Sequence, residues 1–293
     1  MFLHDFPSFL AGMRKVLVPT DFSDASQVAL HYAIGLANQA QAQIQLFSAY
    51  HLPPPPPEVA IVPGQGEYDA LRKDTLAALS GLAAEISDKC IHEPEVFAVR
   101  GLASDEIVRF AKEHSSWLIV MGSKGATGLE RLVFGSVSSA VAKQAAAPLV
   151  LVPEEADFQP LGEVLFATDY HDSDVNAVHH LEEWTRTPED LAITFLHIND
   201  GRVPEAMEQV HLEAFQTQMR QQERLPDMRF ELKVHPDASQ AILEASDAGD
   251  FDLIVLAPVQ RNWLMRILMP SVTQHLVHAA SRPIFIFPAR DKA

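Results

Sequence analysis

The sequence has 293 residues, 47% of them hydrophobic and 21% charged, which is enough apolar material for two ordinary domains with full cores. A formal net charge of −17 at pH 7 argues against a nucleic-acid or anionic-membrane partner, because lysine and arginine hold such surfaces. No apolar run approaches the roughly 20 residues that cross a bilayer, and the N-terminus lacks the basic and apolar regions of a signal peptide. We therefore expect a cytoplasmic protein.

The first predicted elements form a βαβ unit. Residues 15–21 (KVLVPTD) predict a buried strand ending in polar residues, residues 25–40 show a helical pattern, and residues 43–49 predict a second strand. Residues 51–67 contain five successive prolines and then Pro-Gly-Gln-Gly. This segment predicts an extended, semi-rigid loop, either a solvated surface loop or a lid over a ligand.

A frame of glycines and a serine follows the apolar strand predicted at 117–121. Two residues separate Gly122 from Gly125, and after nine further residues Gly135 and Ser136 open a helical stretch at 137–147. Glycines let a sugar or phosphate approach the backbone, and the free amides of a helix start favour an anion. The frame is therefore typical of a nucleotide cradle.

The second half of the chain repeats the first. Its strands are predicted at 163–169, 192–198, 251–256 and 283–288, and its first helix at 174–185. The places of the glycine frame hold Ala257, Gln260, Pro270 and Ser271, so this copy has lost the cradle. The net charge is −4 over residues 1–153 and −13 over residues 154–293, so a polyanionic ligand meets less repulsion in the first half.

Strands separated by helix-length segments predict parallel sheets built from βαβ units. Each half should hold five mostly parallel strands, and the short polar connector at 154–162 should leave the halves in contact. Ligands of such sheets bind beyond the carboxyl ends of the strands, where the strand order reverses. If the first and fourth strands are neighbours, Asp21 and Gly122 face each other across one crevice.

The glycine frame, together with the opening VLVPTDFSDAS at 16–26, resembles the universal stress protein (UspA) family in a tandem form, with domains at 13–153 and 162–288. The resemblance implies an α/β fold of two Rossmann-like (adenine nucleotide alpha hydrolase-like) domains, each a five-stranded, mostly parallel sheet with flanking helices. It also implies that the final strands, 149–152 and 284–287, pair the halves as an internal pseudo-dimer. A homodimer of whole chains stays open.

The resemblance further implies that the first domain binds ATP, through Pro19, Thr20, Asp21, Ala49, Met121, Gly122, Gly125, Gly135, Ser136 and Val137. In that assignment Asp21 and Gly122 lie near the ribose, the backbone of Ala49 reads the adenine edge, and the phosphates lie on the later glycines and Ser136. Magnesium is implied only together with the nucleotide, because no dense carboxylate set would hold it alone. Neither a catalytic residue nor a metal-ligating side chain is implied.

Structural roles compete for several of these residues. Asp21 is also a favoured helix cap, with Ser23 able to share the task, and Ser136 is open to the same interpretation. Asp169 and Ser271 survive in the half that lost its glycines, which favours the structural roles. Lys124 either neutralises phosphate or is solvated.

The remaining reactive residue types predict no further site. The pairs His275 with His278 and His179 with His180 lack a second ligand at a spacing typical of zinc, so we expect no metal site. The single cysteine, Cys90, excludes an internal disulfide.

Three functions follow from these observations. The favoured one is a nucleotide-binding stress-response or signalling protein whose second domain is a structural or regulatory partner. A weak ATP-hydrolysing enzyme is the second, although only Asp21 presents itself as a base and hydrolysis needs an oriented water. The third is a nucleotide-free interaction scaffold with a vestigial frame.

Overall fold

The structure is a computed structural model, and it describes residues 13–52, 64–123, 136–184, 191–221, 227–257 and 280–288. The first half alternates strands and helices: β1 (Lys15–Pro19), α1 (Asp24–Gln39), β2 (Gln43–Tyr50), α2 (Gln65–Ile86), β3 (Glu95–Arg100), α3 (Ala103–Glu113), β4 (Leu118–Gly122), α4 (Ser136–Gln144) and β5 (Leu149–Val152). A single 3₁₀ turn, Ser87–Lys89, follows α2.

The second half repeats this order within the described residues. It comprises β6 (Glu163–Ala167), α5 (Asp172–Glu182), β7 (Ala192–Asn199), α6 (Glu205–Arg220), β8 (Asp227–Val234), α7 (Ala238–Ala248), β9 (Leu253–Leu256) and β10 (Ile284–Ile286). In the described part of the chain, no helix is both long and apolar enough to cross a membrane.

All ten strands belong to one sheet, in the order β3-β2-β1-β4-β5-β10-β9-β6-β7-β8. Every neighbouring pair is parallel except β5 and β10, which run antiparallel with Phe285 opposite Val150. The prediction of five parallel strands in each half is confirmed, and so is the prediction that the final strands join the halves. The polar backbone edge that each half would expose is thereby satisfied by the other.

The strands are apolar because helices cover both faces of the sheet. One buried layer contains residues of α1, α2, α5 and α6, and the other contains residues of α3, α4 and α7. Both layers run through the two halves without interruption. The halves therefore share their cores and do not merely touch.

Local chemistry sets where the helices begin. The Ser23 hydroxyl accepts a hydrogen bond from the Ser26 amide at the start of α1, at 3.3 Å. The Asp237 carboxylate accepts from the amides of Ser239 and Gln240 at the start of α7, at 2.9 and 3.1 Å. Each cap satisfies amides that the first turn of a helix leaves without partners.

The loop predicted at 51–67 is wrong over its last residues. Residues 65–67 form the first turn of α2, where the Glu67 carboxylate accepts a hydrogen bond from the Gly64 amide at 2.9 Å. This capping interaction begins a helix in a segment whose composition predicted a loop. Residues 53–63, with the five prolines, lie outside the described residues.

Although the connector at 154–162 is polar in composition, several of its residues make apolar contacts. Ala156 and Leu161 are buried, and the Phe158 ring packs edge-on against Tyr32 of α1, at 5.4 Å between centroids. A Cβ on Gly35 would lie 2.1 Å from the Phe158 ring. Gly35 therefore makes the room in which the connector docks on α1.

A cluster of aromatic residues fills the junction of the halves. His180 of α5 lies 5.0 Å from the ring of Trp117 and 5.8 Å from the ring of Phe285, and Trp184 lies 4.7 Å from Phe285. The Trp117 indole donates a hydrogen bond to Glu183 at 2.9 Å. Since Trp117 precedes β4 and the other residues belong to the second half, the cluster fastens the two halves together.

Candidate functional site

The candidate site lies at the carboxyl ends of β1 and β4. These strands pair in parallel, with Val16 opposite Leu118 and Leu17 opposite Ile119. The chain runs from β1 outward to β2 and β3 on one side and returns to β4 and β5 on the other. The strand order therefore reverses between β1 and β4, which is where parallel sheets open a crevice for a ligand.

Extending the β1–β4 register places four of the predicted site residues side by side in two pairs. Pro19 comes level with Met121 and Thr20 with Gly122, at the roughly 5 Å spacing of neighbouring strands. Pro19 and Met121 are buried, and Asp21 is the first exposed residue beyond β1. The loops after these two strands thus meet at one end of the sheet.

Thr20 serves the turn that leads from β1 into α1. Its amide donates to the Phe47 carbonyl at 2.8 Å, and its buried hydroxyl lies 2.9 Å from that of Ser26 and accepts from the Phe22 amide at 3.0 Å. The Thr20 side chain therefore has a structural role, since its hydroxyl is used in hydrogen bonds within the turn.

Asp21 holds the cap residue instead of capping α1 itself. Its Oδ1 atom accepts hydrogen bonds from the Ser23 amide, at 3.1 Å, and from the Ser23 hydroxyl, at 2.5 Å. The cap is Ser23, so the interpretation of Asp21 as the cap is wrong. The exposed carboxylate is oriented by these bonds at the mouth of the crevice.

The start of α4 is tied to the end of β4. The buried Ser138 hydroxyl donates a hydrogen bond to the Gly122 carbonyl at 2.8 Å. Ser136 is exposed and Val137 half-buried at the first turn, which carries no acidic residue. The amides of a helix start and its dipole favour an anion, so this first turn is suited to a phosphate.

Ala49 lies in β2, opposite Val99 of β3, and is half-buried. The neighbouring Phe47 carbonyl accepts from Thr20 across the β1 side of the strand. Because successive backbone groups of a strand alternate sides, the amide and carbonyl of Ala49 face the same side, beyond the end of β1. They border the crevice.

Several predicted residues lie outside the described residues, among them Gly125 and Gly135. The same holds for Lys124 in the first half and for Gln260, Pro270, Ser271, His275 and His278 in the second. Within the described residues the crevice is therefore defined by the ends of β1, β2 and β4 and by the first turn of α4. His179, which is described, contacts Glu182 at 2.9 Å, and His180 lies in the aromatic junction.

Two features of the site were missed in the sequence. Ser138 is the third residue of α4, and nothing in its spacing distinguishes it from an ordinary helical serine. The second is the left-handed turn after Asp21, where Phe22 has a φ of 62° and Tyr170 of the second half has a φ of 60°. Bulky residues rarely adopt this conformation, and the aromatic residue at matching places in the two copies was the available signal.

In the described part of the second half, a histidine lies at the carboxyl ends of β6 and β7. In the strand registers, His197 of β7 takes the place that Ser48 has in β2. Its Nδ1 lies 2.7 Å from the Thr168 carbonyl, to which it can donate, and the Tyr170 ring stacks on it at 4.3 Å. The larger imidazole therefore occupies space beyond β6 that the first half leaves to a serine.

Carboxylates surround His197. Its Nδ1 lies 3.7 Å from Asp169 and its Nε2 lies 3.5 Å from the buried Glu208 of α6. Burial raises the pKa of the Asp169 carboxyl, against the opposing effect of His197. The described ends of β6 and β7 therefore hold an imidazole and two carboxylates within ion-pair distance of one another.

A family model and the similar sequences of known proteins point to the same family. The model of the universal stress protein family matches residues 12–153 and 161–288. Universal stress protein MJ0531 of Methanocaldococcus jannaschii is 33% identical to this chain over 146 residues, which cover 47% of this chain and 81% of that protein. A universal stress protein of Mycolicibacterium smegmatis is 24% identical over 292 residues, covering 94% of this chain and 97% of that one.

The same fold occurs in a solved structure. A universal stress protein from Archaeoglobus fulgidus superposes with a TM-score of 0.70 at 18% identity, covering 94% of this chain and 97% of that chain. At this identity the likeness concerns the fold alone. It extends over both halves and therefore includes the tandem arrangement.

Proposed function

This chain belongs to the universal stress protein family, and from that premise we propose that its first domain, residues 13–153, binds ATP or a related adenine nucleotide in the β1–β4 crevice. The second domain, residues 162–288, does not bind nucleotide and acts as a structural or regulatory partner. The protein serves a stress-response or signalling role in the cytoplasm.

The observation that carries the proposal is the strand reversal between β1 and β4, with the start of α4 fixed above it. The Ser138 bond to Gly122 holds the first turn of α4 at the end of β4, at the same end of the sheet as Asp21. A nucleotide lying across this crevice would bring its ribose to Asp21 and its phosphates to the first turn of α4. Gly125, Gly135, Ser136 and Val137 would then surround the phosphates.

The contrast between the halves supports a single site per chain. The second half places His197 and the buried Glu208 beside Asp169, whereas the first half keeps the matching Asp21 but has Ser48 at the position of His197. The second half also carries most of the negative charge. Magnesium would enter with the nucleotide, held by the phosphates, and the side chains of the crevice would contact the nucleotide alone.

A binding titration tests the proposal. ATP is titrated by calorimetry into the wild type, into Gly125→Val and into Gln260→Val, which introduces the same residue at the matching place of the second half. We expect saturable binding by the wild type and by Gln260→Val, and none by Gly125→Val, because the valine side chain blocks close approach to the backbone. A wild type without saturable binding favours the scaffold and contradicts the proposal.

An enzymatic activity would require a base that orients water. The exposed Asp21 carboxylate, oriented by Ser23, is the candidate. Phosphate release above background that Asp21→Asn abolishes would add ATP hydrolysis to the function. Binding without turnover leaves a nucleotide-binding protein, which is what we propose.

A further inference from the structure

The outer edge of β8 is open. β8 ends the strand order, and within the described residues β7 is its only strand neighbour. The His235 amide donates to the Asn199 carbonyl of β7 at 3.0 Å, and backbone groups alternate along a strand. The odd-numbered residues of β8 therefore face β7, and the amides and carbonyls of Met228, Phe230 and Leu232 point away from the sheet.

The side chains of β8 divide into two kinds. Asp227, Arg229, Glu231 and Lys233 alternate in charge along one face, and the first three are exposed. On the other face Phe230 stacks on Phe195 of β7, at 5.1 Å between ring centroids. Within the described residues, the edge thus presents backbone groups without a strand partner beside a row of charges whose signs alternate.

We propose that two copies of this chain associate by antiparallel pairing of β8 with β8, about a twofold axis at Phe230. Phe230 then lies opposite Phe230 of the second copy, and Met228 lies opposite Leu232. Residues with outward-facing backbone groups meet in three hydrogen-bonded pairs, each exchanging two backbone hydrogen bonds.

The charges match in this register. Asp227 lies opposite Lys233 of the second copy, and Arg229 lies opposite Glu231. These are the non-hydrogen-bonded positions, where side chains of antiparallel strands come closest. Every charged residue of the strand therefore faces the opposite sign across the axis.

The neighbouring registers are disfavoured by the same charges. Centring the axis on Arg229 sets the two arginines opposite each other and Asp227 opposite Glu231. Centring it on Glu231 sets the two glutamates opposite each other and Arg229 opposite Lys233. Like charges at directly opposite positions destabilise a sheet, so the charges favour the register centred on Phe230 over both of these neighbours.

Charges on an edge strand often prevent association, but the charge pattern of β8 does not repel a second copy of the strand. The charged residues of β8 cancel one another, so in a chain of net charge −17 this edge is locally neutral. The opposite edge, β3, has only Glu95 and Arg100 as charged residues, on opposite faces of the strand, and offers no such match. The β5–β10 join shows that this fold accepts antiparallel pairing at a strand edge.

Sedimentation of the full chain over a concentration series tests the proposal. Strand pairing alone is a small interface, so we expect a reversible dimer with a dissociation constant on the order of 1–100 μM. Arg229→Glu and Glu231→Arg each set like charges opposite one another and should weaken the dimer about tenfold. The double variant restores opposite charges and should restore the affinity.

The controls separate pairing from folding and from net charge. Lys112→Glu, at an exposed position of α3, makes the same charge change as Arg229→Glu and should leave the dimer intact. Arg229 also contacts Asp227 and Glu163 of its own chain, so urea unfolding of each variant measures any loss of stability. A monomeric wild type, or a double variant as weak as the single ones, overturns the proposal.

Cross-linking tests the register directly. In a Cys90→Ser background, Asp227→Cys with Lys233→Cys places two thiols opposite each other in the proposed dimer, and oxidation should give a covalent dimer. Asp227→Cys alone should not cross-link, because the two thiols then lie roughly 20 Å apart along the strands. Equal cross-linking of both variants contradicts the register.

Discussion

Acidification should destabilise this protein through His180. Its imidazole lies among Trp117, Trp184 and Phe285, and its Nε2 atom has no hydrogen-bond partner among the described residues. Burial lowers the pKa of His180 to about 4, with a smaller contribution from the positive charge of Arg14. An imidazole that is neutral in the fold and protonated in the unfolded chain favours unfolding as the pH falls.

The sign and size follow from the two pKa values. Well above the unfolded value of 6.5 both states are neutral and His180 has no effect on stability. Between about pH 7.5 and about pH 4.5 the unfolded chain takes up the proton and the fold does not, which costs roughly 2–3 kcal/mol. Most of this loss falls between pH 6.5 and pH 4.

Urea unfolding across this pH range, followed by tryptophan fluorescence, measures the effect. His180→Phe keeps an aromatic ring and removes the proton site, so the wild type should lose roughly 2–3 kcal/mol more than this variant on acidification. Carboxylates such as Asp169 contribute to both and cancel in the difference. His179→Phe, an exposed neighbour, should behave as the wild type does. If wild type and His180→Phe show the same pH dependence, the reasoning fails.

Three further predictions concern separate parts of the fold. Ser138→Ala removes the bond to the Gly122 carbonyl and should cost about 1–3 kcal/mol in urea unfolding and weaken ATP binding. Gly35→Ala brings a Cβ within 2.1 Å of the Phe158 ring and should cost about 1–3 kcal/mol; Phe158→Ala in the same chain should make the Gly35 substitution nearly neutral. Burial raises the pKa of the Cys90 thiol, so at pH 8 it should react with a thiol reagent more slowly in the native protein than in urea.

The central strands could be predicted because they are buried on both faces. β1, β4, β6 and β9 are continuous apolar runs, and their recurrence at matching places showed the duplication. The outer strands β3 and β8 carry charged residues at an edge, so no apolar run marks them. The pairing of β5 with β10 followed from the family resemblance and from the need to cover two apolar edges.

The candidate site could be predicted in part. The glycine frame and Asp21 mark the loops after β4 and β1, and those strands are neighbours as the argument required. The sequence could not show which side chains form hydrogen bonds within the turns. Thr20 bonds to Ser26, and Ser23 takes the cap that Asp21 could have formed. His197 reaches the Thr168 carbonyl only because the fold brings β7 beside the turn after β6.

The stoichiometry of ATP binding to the whole chain is the most direct test of one site per molecule. Calorimetric titration of the wild type should give one nucleotide per chain, lost in Gly125→Val and kept in His197→Ala. Two nucleotides per chain would show that the second crevice accepts a ligand in spite of His197. No binding, or binding unchanged by Gly125→Val, would contradict the assignment of the β1–β4 crevice.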